Sequence, residues 1–417
     1  MIKKRNNLLC LVYIIFMSLI PGESTSINGC DISITFPDQS VGVLTEMRGP
    51  SNNTSSNWRV NAIGKVSVPL GIEIQLDIDT GIFNTDCKFD GVTIDALRFP
   101  PCDLDCKSFD DIISSCINVS VITLNGVNMD NACLLSLCRL SKLTTVNIQN
   151  SNINRNGLEL LTHNKTLKRL YIQGTKIIDN DLELLVGMPS LVHIALPVDI
   201  TDRGLQFIGE LPNLKGLYLV GSKISDTGFM KLERLNKLSL LNLSHTKISD
   251  NCSYFLQKQK EIKWLDLSDT QISDAIINTI ALMKSLEYLD LSSTEITSDA
   301  VRKLKDLPEL SSLILRDCQI DILLDDILGF QKLEYCDLTG MKFEVGFSNG
   351  QISMTKLREL HIPDASVNAL IIGSLLKIKT LNRLLLPIDL DGPVQNLLLR
   401  DSWEKGCVDG LWQKKSR

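Results

Sequence analysis

One period governs what this chain can fold into. An apolar residue recurs at Ile94, Val119, Leu143, Leu167, Leu191, Leu214, Leu238, Ile262, Leu286, Leu310, Leu333, Leu357 and Leu381. The twelve intervals are one of 25, nine of 24 and two of 23 residues. Randomly placed apolar residues do not keep phase over 287 positions, and a fixed period of about 20–50 residues marks a stacked array. Length alone, at about 150 residues per domain, suggests two to three domains for 417 residues. The period replaces that estimate with one solenoid over residues 94–400.

A single unit shows the physics. In Leu214-Lys-Gly-Leu217-Tyr-Leu219, the residues Leu217 and Leu219 alternate with polar or exposed partners, as in a strand. Ile224 closes a turn, and Asp226 is expected to cap a helix by accepting from the following N–H groups. Phe229, Leu232 and Leu235 follow at spacing three, one face of a short helix. Residues 119–140 and 357–378 repeat the scheme. No unit buries a core alone, so neighbours must stack, strands on one side and helices on the other. Strands stack about 4.8 Å apart, whereas helices need about 8–10 Å. The mismatch predicts a curved ladder, strands on the concave face, about 60 Å long for thirteen units. In Leu196-Pro-Val-Asp-Ile200 and Leu386-Pro-Ile-Asp-Leu390 the turn is one residue short. Residues 339–356 lack the helix pattern and read as a loop on the convex side.

The stretches Leu241-Asn-Leu-Ser-His-Thr-Lys-Ile-Ser-Asp250 and Leu265-Asp-Leu-Ser-Asp-Thr-Gln-Ile-Ser-Asp274 carry a resemblance. Over residues 94 to about 400 the chain resembles a leucine-rich repeat protein. It is similar to the T-x-I-x-D-x-G-L subtype of exported proteins from planctomycete-like bacteria. More distantly it resembles the cysteine-containing repeats of F-box substrate adaptors. The resemblance implies an α/β leucine-rich repeat solenoid and says little about function, because such repeats serve many binding tasks. Ser151, Thr175, Ser222, Thr246, Thr270, Thr294 and Cys318 stand where many such repeats carry Asn. Their side chains are expected to bond backbone groups of the turn.

The ends differ from the array. Residues 1–26 read as a secretory signal. Lys3, Lys4 and Arg5 precede an apolar run from Leu8 to Ile20, and Pro21-Gly22 breaks it. The run is too short to span a bilayer, which needs about 20 residues. The expected location is secreted, periplasmic or cell surface, with no transmembrane span in the mature chain. Residues 27–93 alternate as strands and are expected to form an N-terminal β cap over the solenoid's open end. Residues 391–417 lose the periodicity at Gly392-Pro393 and read as a short cap followed by a solvated C-terminal tail over 401–417. Export permits disulfides among the twelve cysteines. A Cys30–Cys87 bridge would close the cap, though spacing alone does not fix pairing. Cys133, Cys252 and Cys336 fall at core positions suited to free thiols. Cys102, Cys106, Cys133 and Cys138 are spaced poorly for a zinc site.

No catalytic constellation converges. The four histidines, His163, His193, His245 and His361, make no HExxH pair. His193 and His361 lie on strands about 34 Å apart at strand spacing. Neither a GxSxG elbow nor a dinucleotide fingerprint occurs, and no cofactor or metal is implied. With 43 basic and 49 acidic residues, the net charge of -6 argues against nucleic acid. What remains is a surface. The second strand positions include Trp264, Tyr288, Ser312 and Tyr335; the fourth include Asp266, Asp290, Ile314 and Asp337; Glu287 and Glu334 flank them. This aromatic column beside an acidic one suits a basic peptide, a protein loop or a sugar ring. Leu-Asp-Leu-Ser is also common filler of such repeats, copied by duplication. Lys168, Arg169 and Tyr171 form a smaller basic spot. The expected function is a non-enzymatic scaffold binding a protein or peptide on its concave face. The alternatives are a glycan-binding envelope protein, or a ubiquitin-ligase adaptor, which would need a helical F-box segment where residues 27–93 read as strands.

Overall fold

The structure, a computed structural model, describes residues 31–35, 42–47, 59–63, 65–69, 73–79, 94–318, 320, 324–341, 356–363 and 367–415. The signal segment, the Cys30–Cys87 pair and most of the 339–356 loop lie outside the described residues. The chain divides into two compact units, residues 1–177 and 178–417.

The first unit opens with β1 (Asp31–Thr35), β2 (Gly42–Glu46), β3 (Arg59–Asn61), β4 (Lys65–Pro69) and β5 (Ile74–Ile78). β1 and β4 pair antiparallel, and β2 pairs antiparallel with both β3 and β5. β5 buries Ile74, Leu76 and Ile78 and exposes the residues between them, the alternation of a half-buried strand. The repeats then supply β6 (Ala96–Arg98), β7 (Asp103–Leu104), β8 (Val121–Thr123), β9 (Asn128–Met129), β10 (Thr145–Asn147) and β11 (Arg169–Tyr171). β5, β6, β8, β10 and β11 form one parallel run in that order. β2, β3 and β5 therefore join the repeat sheet, whereas β1 and β4 pair apart from it.

In this unit Cys106, which begins the helix Cys106–Ser115, is disulfide-bonded to Cys133 in the 3-10 segment Asn131–Arg139. Cys133 is thus not a free core thiol, and two of the four cysteines weighed for zinc are spent on each other. Linking residues 27 apart in sequence stabilises by about 2–4 kcal/mol through the unfolded chain. Reduction, or Cys106→Ser with Cys133→Ser, should lower the unfolding free energy by that amount, read by chemical denaturation with and without reductant.

The second unit holds β12 (His193–Ala195), β13 (Gly216–Tyr218), β14 (Leu240–Asn242), β15 (Trp264–Asp266), β16 (Tyr288–Asp290), β17 (Ser312–Ile314), β18 (Tyr335–Asp337), β19 (Glu359–His361) and β20 (Arg383–Leu385), all parallel and in register. Its end departs from the sequence reading. β21 (Trp403–Lys405) and β22 (Leu411–Lys414) form a hairpin, and β22 adds antiparallel to β20, so the short cap extends through residues read as solvated tail. Trp403 and Trp412 are fully buried there. An array's last coil exposes an apolar end, and the two indoles cover it.

All thirteen phase residues, Ile94 through Leu381, are no more than 1% exposed. Beyond nine of the strands, β8, β10, β11 and β13 to β18, the backbone turns through one left-handed residue: Gly126, Asn150, Gly174, Gly221, His245, Asp269, Ser293, Asp317 and Gly340 have φ of 52–81°. Holding a non-glycine residue there costs roughly 1–2 kcal/mol. Backbone bonds to the following repeat offset this, such as His245 N to Ser268 O at 2.9 Å and Asp269 N to Ser292 O at 2.8 Å. The two short turns, 196–200 and 386–390, contain no positive φ; each omits the left-handed residue and needs no strain. The hydroxyls of Ser151, Thr175, Ser222, Thr246, Thr270 and Thr294 each donate to the carbonyl three residues back, at 2.5–2.7 Å. Cys318 instead donates to Leu291 O of the preceding repeat, at 3.2 Å.

Asp226 does a different job from the one its position suggests. Ser225 is the N-cap of the helix Asp226–Phe229. Asp226 accepts from Ser249 N at 2.9 Å and from Ser249 Oγ at 2.6 Å. Asp179 holds Thr201, Asp202 holds Ser225, Asp250 holds Ser273 and Asp274 holds Thr297 in the same two-bonded way. Each carboxylate ties one repeat to the next. The spacing-three apolar face also has a cause: Phe229 and Leu232 straddle a switch from α to 3-10 winding, whose period is three, and the next two repeats mix the same two windings in the opposite order.

Candidate functional site

Strand alternation puts Leu265, Leu289, Leu313 and Cys336 into the core and turns the residues beside them to the sheet's other face. On that outward face Trp264 lies against Tyr288 and Asp266 against Asp290, as register partners. The Trp264 and Tyr288 rings stack with centroids 4.7 Å apart and planes 14° from parallel. Their exposures are only 9% and 8%, less than an open aromatic column would show; part of that burial is mutual.

The acidic column divides by role. Asp266 Oδ1 accepts from Ser268 N and Oγ at 3.0 and 2.7 Å, and its Oδ2 accepts from Asn242 Nδ2 at 3.0 Å. Asp290 Oδ1 accepts from Ser292 N and Oγ at 2.9 and 2.6 Å. The Asp-x-Ser pattern is therefore a small turn motif that ties down one oxygen of each carboxylate. Burial first, and the neighbouring Asp266 second, push the Asp290 carboxyl up to about 7. Burial also raises Asp266, against its hydrogen bonds. Glu287 and Glu334 are not free acids: Lys263 Nζ sits 2.7 Å from Glu287 Oε1, and Arg358 Nε 3.4 Å from Glu334 Oε2.

β17 interrupts both columns with Ser312 and Ile314. Beyond it Asp337, 1% exposed, is the centre of a second cluster. Its Oδ2 receives Arg316 Nε at 2.7 Å, Tyr335 Oη at 3.1 Å and His361 Nδ1 at 3.3 Å. Its Oδ1 receives Thr339 N and Oγ1 at 3.0 and 2.6 Å. Glu359 holds His361 Nε2 at 2.7 Å and Arg383 Nη1 at 3.0 Å. Burial opposes the charge on Asp337, but His361 and Arg316 outweigh it and keep the carboxyl well below its ordinary range. Burial likewise opposes the charge on His361, and Asp337 with Glu359 overcomes it and raises the imidazole to about 9. The Tyr335 ring meets His361 edge-on at 5.1 Å. Tyr335 and Asp337 thus belong to a closed ion cluster. Trp264, Tyr288, Asp266 and Asp290 remain together as a patch.

Residues 283–305, which contain β16 and the helix Ser298–Lys303, match a family model described as Leucine Rich repeat. That match and the parallel strands with short helices give the fold of an α/β leucine-rich repeat solenoid. No curated protein matches its sequence. Among solved structures, it is similar to an internalin from Listeria monocytogenes, at 21% identity over 66% of this chain and 75% of that one, with a TM-score of 0.49. It is also similar to TLR13 crystallised as a complex with ssRNA13, at 22% identity, 70% and 43% coverage and a TM-score of 0.48. The mouse RP105/MD-1 complex gives 18% identity, 74% and 60% coverage and a TM-score of 0.48. The chain thus spans less than two thirds of the latter two.

The leucine-rich repeat frame explains which site residues escape a sequence reading. His361 is a fourth-position residue, register partner of Asp337. Arg316 lies in the turn after β17 and reaches forward to the next repeat's Asp337. Charge alternation at a separation of about one repeat was the available signal. Among the described residues no group of three or more His, Cys, Asp or Glu is arranged to hold a metal ion. No described helix is long and apolar enough to cross a membrane. Asn164 and Asn242, which begin the N-x-S/T triplets Asn164-Lys-Thr and Asn242-Leu-Ser, are buried donors: Asn164 bonds Leu137 O and Leu140 O, and Asn242 bonds Asp266.

Proposed function

We propose that this leucine-rich repeat protein is an exported, non-enzymatic scaffold that recognises a basic protein or peptide segment on the outward strand face of β15 and β16. The observation that carries the reading is the stacked Trp264–Tyr288 pair beside Asp290. The Asp290 Oδ1 atom is held by Ser292, and its other oxygen takes no bond from the described residues. A rigid apolar surface next to an anchored carboxylate suits a Lys or Arg side chain, whose stem packs on the rings while its head meets the acid. A sugar would need an open ring face, and each ring turns one face to the other. The apolar leader and the Cys106–Cys133 bridge support export.

The test is capture of Lys- and Arg-bearing peptides on an array by the full chain. Trp264→Ala with Tyr288→Ala should abolish capture, with thermal melting to confirm that the fold survives. Asp290→Asn is the gentler second variant and should weaken capture about tenfold or more. Because a cation needs the ionised acid, capture should strengthen as pH rises through about 7, and Asp290→Asn should flatten that profile. Peptide binding that ignores all three changes would place recognition elsewhere.

A further inference from the structure

Arginines on or beside the strands of this protein are matched by acids. Arg98 of β6 faces Asp77 at 3.4 Å, Arg316 is bonded to Asp337, and Arg383 of β20 is bonded to Glu359. Arg169 of β11 has no acid bonded to it among the described residues. It is half-buried, its Nε is shut off from solvent, and that Nε has no hydrogen-bond partner. Its register partner on β10 is Thr145. Thr145 is 8% exposed, and its Oγ1 is also buried without a partner. The next residue of that column, Val121, is apolar and offers neither a bond. Two unsatisfied polar side chains thus stand side by side on one face, one of them a permanent cation. Leaving such groups unpaired lowers stability, and buried polar groups in native proteins are nearly always bonded.

We propose that Arg169 and Thr145 form a carboxylate-binding subsite on the outward strand face of the first unit, taking an acidic side chain or the C-terminal carboxylate of a peptide. The planar guanidinium bonds a carboxylate through two parallel N–H groups. The Thr145 hydroxyl, one strand away at about 4.8 Å, donates a further bond. Lys168, exposed and next in sequence, adds positive charge nearby. The subsite rests on the reading of this chain as a peptide-recognising scaffold. It extends that reading with a locus of opposite charge, on strands different from those of the Trp264–Asp290 patch.

The experiment uses the full chain on an array of short synthetic peptides. Each is made in four forms: Asp and Glu kept or replaced by Asn and Gln, and the C-terminus free or amidated. The native chain should retain carboxylate forms about tenfold more strongly than their amide counterparts. Loss in the Asn/Gln forms assigns the side chain as the source; loss in the amidated forms assigns the terminus. Arg169→Gln and Thr145→Val should each reduce the preference, Arg169→Gln to nothing, with Arg169→Lys restoring part of it. Lys332→Gln, which removes an exposed cation of the second unit paired with Glu309, should leave it unchanged. Arg169→Gln should melt no lower than the native chain, since it removes an unpaired charge. Equal retention of acid and amide forms overturns the subsite alone. A preference that survives Arg169→Gln, or a melting point that falls by several degrees in that variant, does the same. No retention of any peptide overturns both this proposal and the scaffold reading.

Discussion

Asp337→Ala should lower the unfolding free energy by about 3–5 kcal/mol, the range for breaking one side of a buried ion pair. Alanine would leave the Arg316 guanidinium without its acid and Thr339 N–H without its acceptor, beside a Tyr335 hydroxyl that keeps only its contact with His361. Asp337→Asn keeps the shape and an oxygen for Thr339 and should cost less. Denaturant titrations of the two variants measure the difference. A loss below about 1 kcal/mol for the alanine change, the scale of a surface pair, would show that the cluster contributes no more than an exposed one. The same cluster sets a pH window. Asp337 is held below its ordinary value of 3.8, so its contribution is complete above that value and drains away as pH falls further. His361 is raised from 6.5 to about 9, so its contribution is complete below 6.5 and is lost as pH climbs through 9. Stability from this cluster should be greatest between about pH 4 and 6.5. His361→Gln should remove the alkaline limb and leave the acid limb in place.

Trp403→Ala should cost a comparable amount, about 3–5 kcal/mol for emptying a fully buried indole site. The consequence differs in kind. Trp403 and Trp412 shield the end of the second unit, with the Lys414 ammonium 5.7 Å from the Trp403 ring and Lys405 the same distance from Trp412. A chain ending at Arg400 loses β21 and β22 and bares the edge of β20, an open template for pairing. That truncation should associate in light-scattering measurements, whereas Cys252→Ala, deep inside the array, should lose stability and stay monodisperse. A truncated chain that remains monomeric and melts like the native protein would mean that the hairpin covers nothing.

Much of the fold was legible because its strongest constraint is one-dimensional. A core leucine every two dozen residues can be counted, and all thirteen counted positions are buried. The left-handed turn residues were invisible, because Asn150, His245, Asp269, Ser293 and Asp317 share a backbone conformation and no side-chain type. Asp226 was misassigned for a related reason. It adjoins a helix start, and only its partner in the following repeat reveals the bond it makes. The clue was present as a hydroxyl at Thr201, Ser225, Ser249, Ser273 and Thr297, always 22 or 23 residues after an Asp. The final hairpin was missed because Gly392-Pro393 ends the periodicity, and a search keyed to the repeat stops there. Pro393 in fact opens the helix Gly392–Arg400 at its first turn. On the outward face the alternation placed Trp264, Tyr288, Asp266 and Asp290 correctly side by side. It could not say which acids were already committed, since Arg316 and His361 act across strands.

The five consecutive carboxylates from Asp179 to Asp274 have a mechanical corollary. Each crosslinks adjoining coils in shear, so the stretch they lace should yield as a block under tension. Ser298, not a carboxylate, stands at the sixth position of the series. Pulled from its two ends in an optical trap, the second unit should release residues 179–297 in one step, and Asp226→Ala should split that step in two.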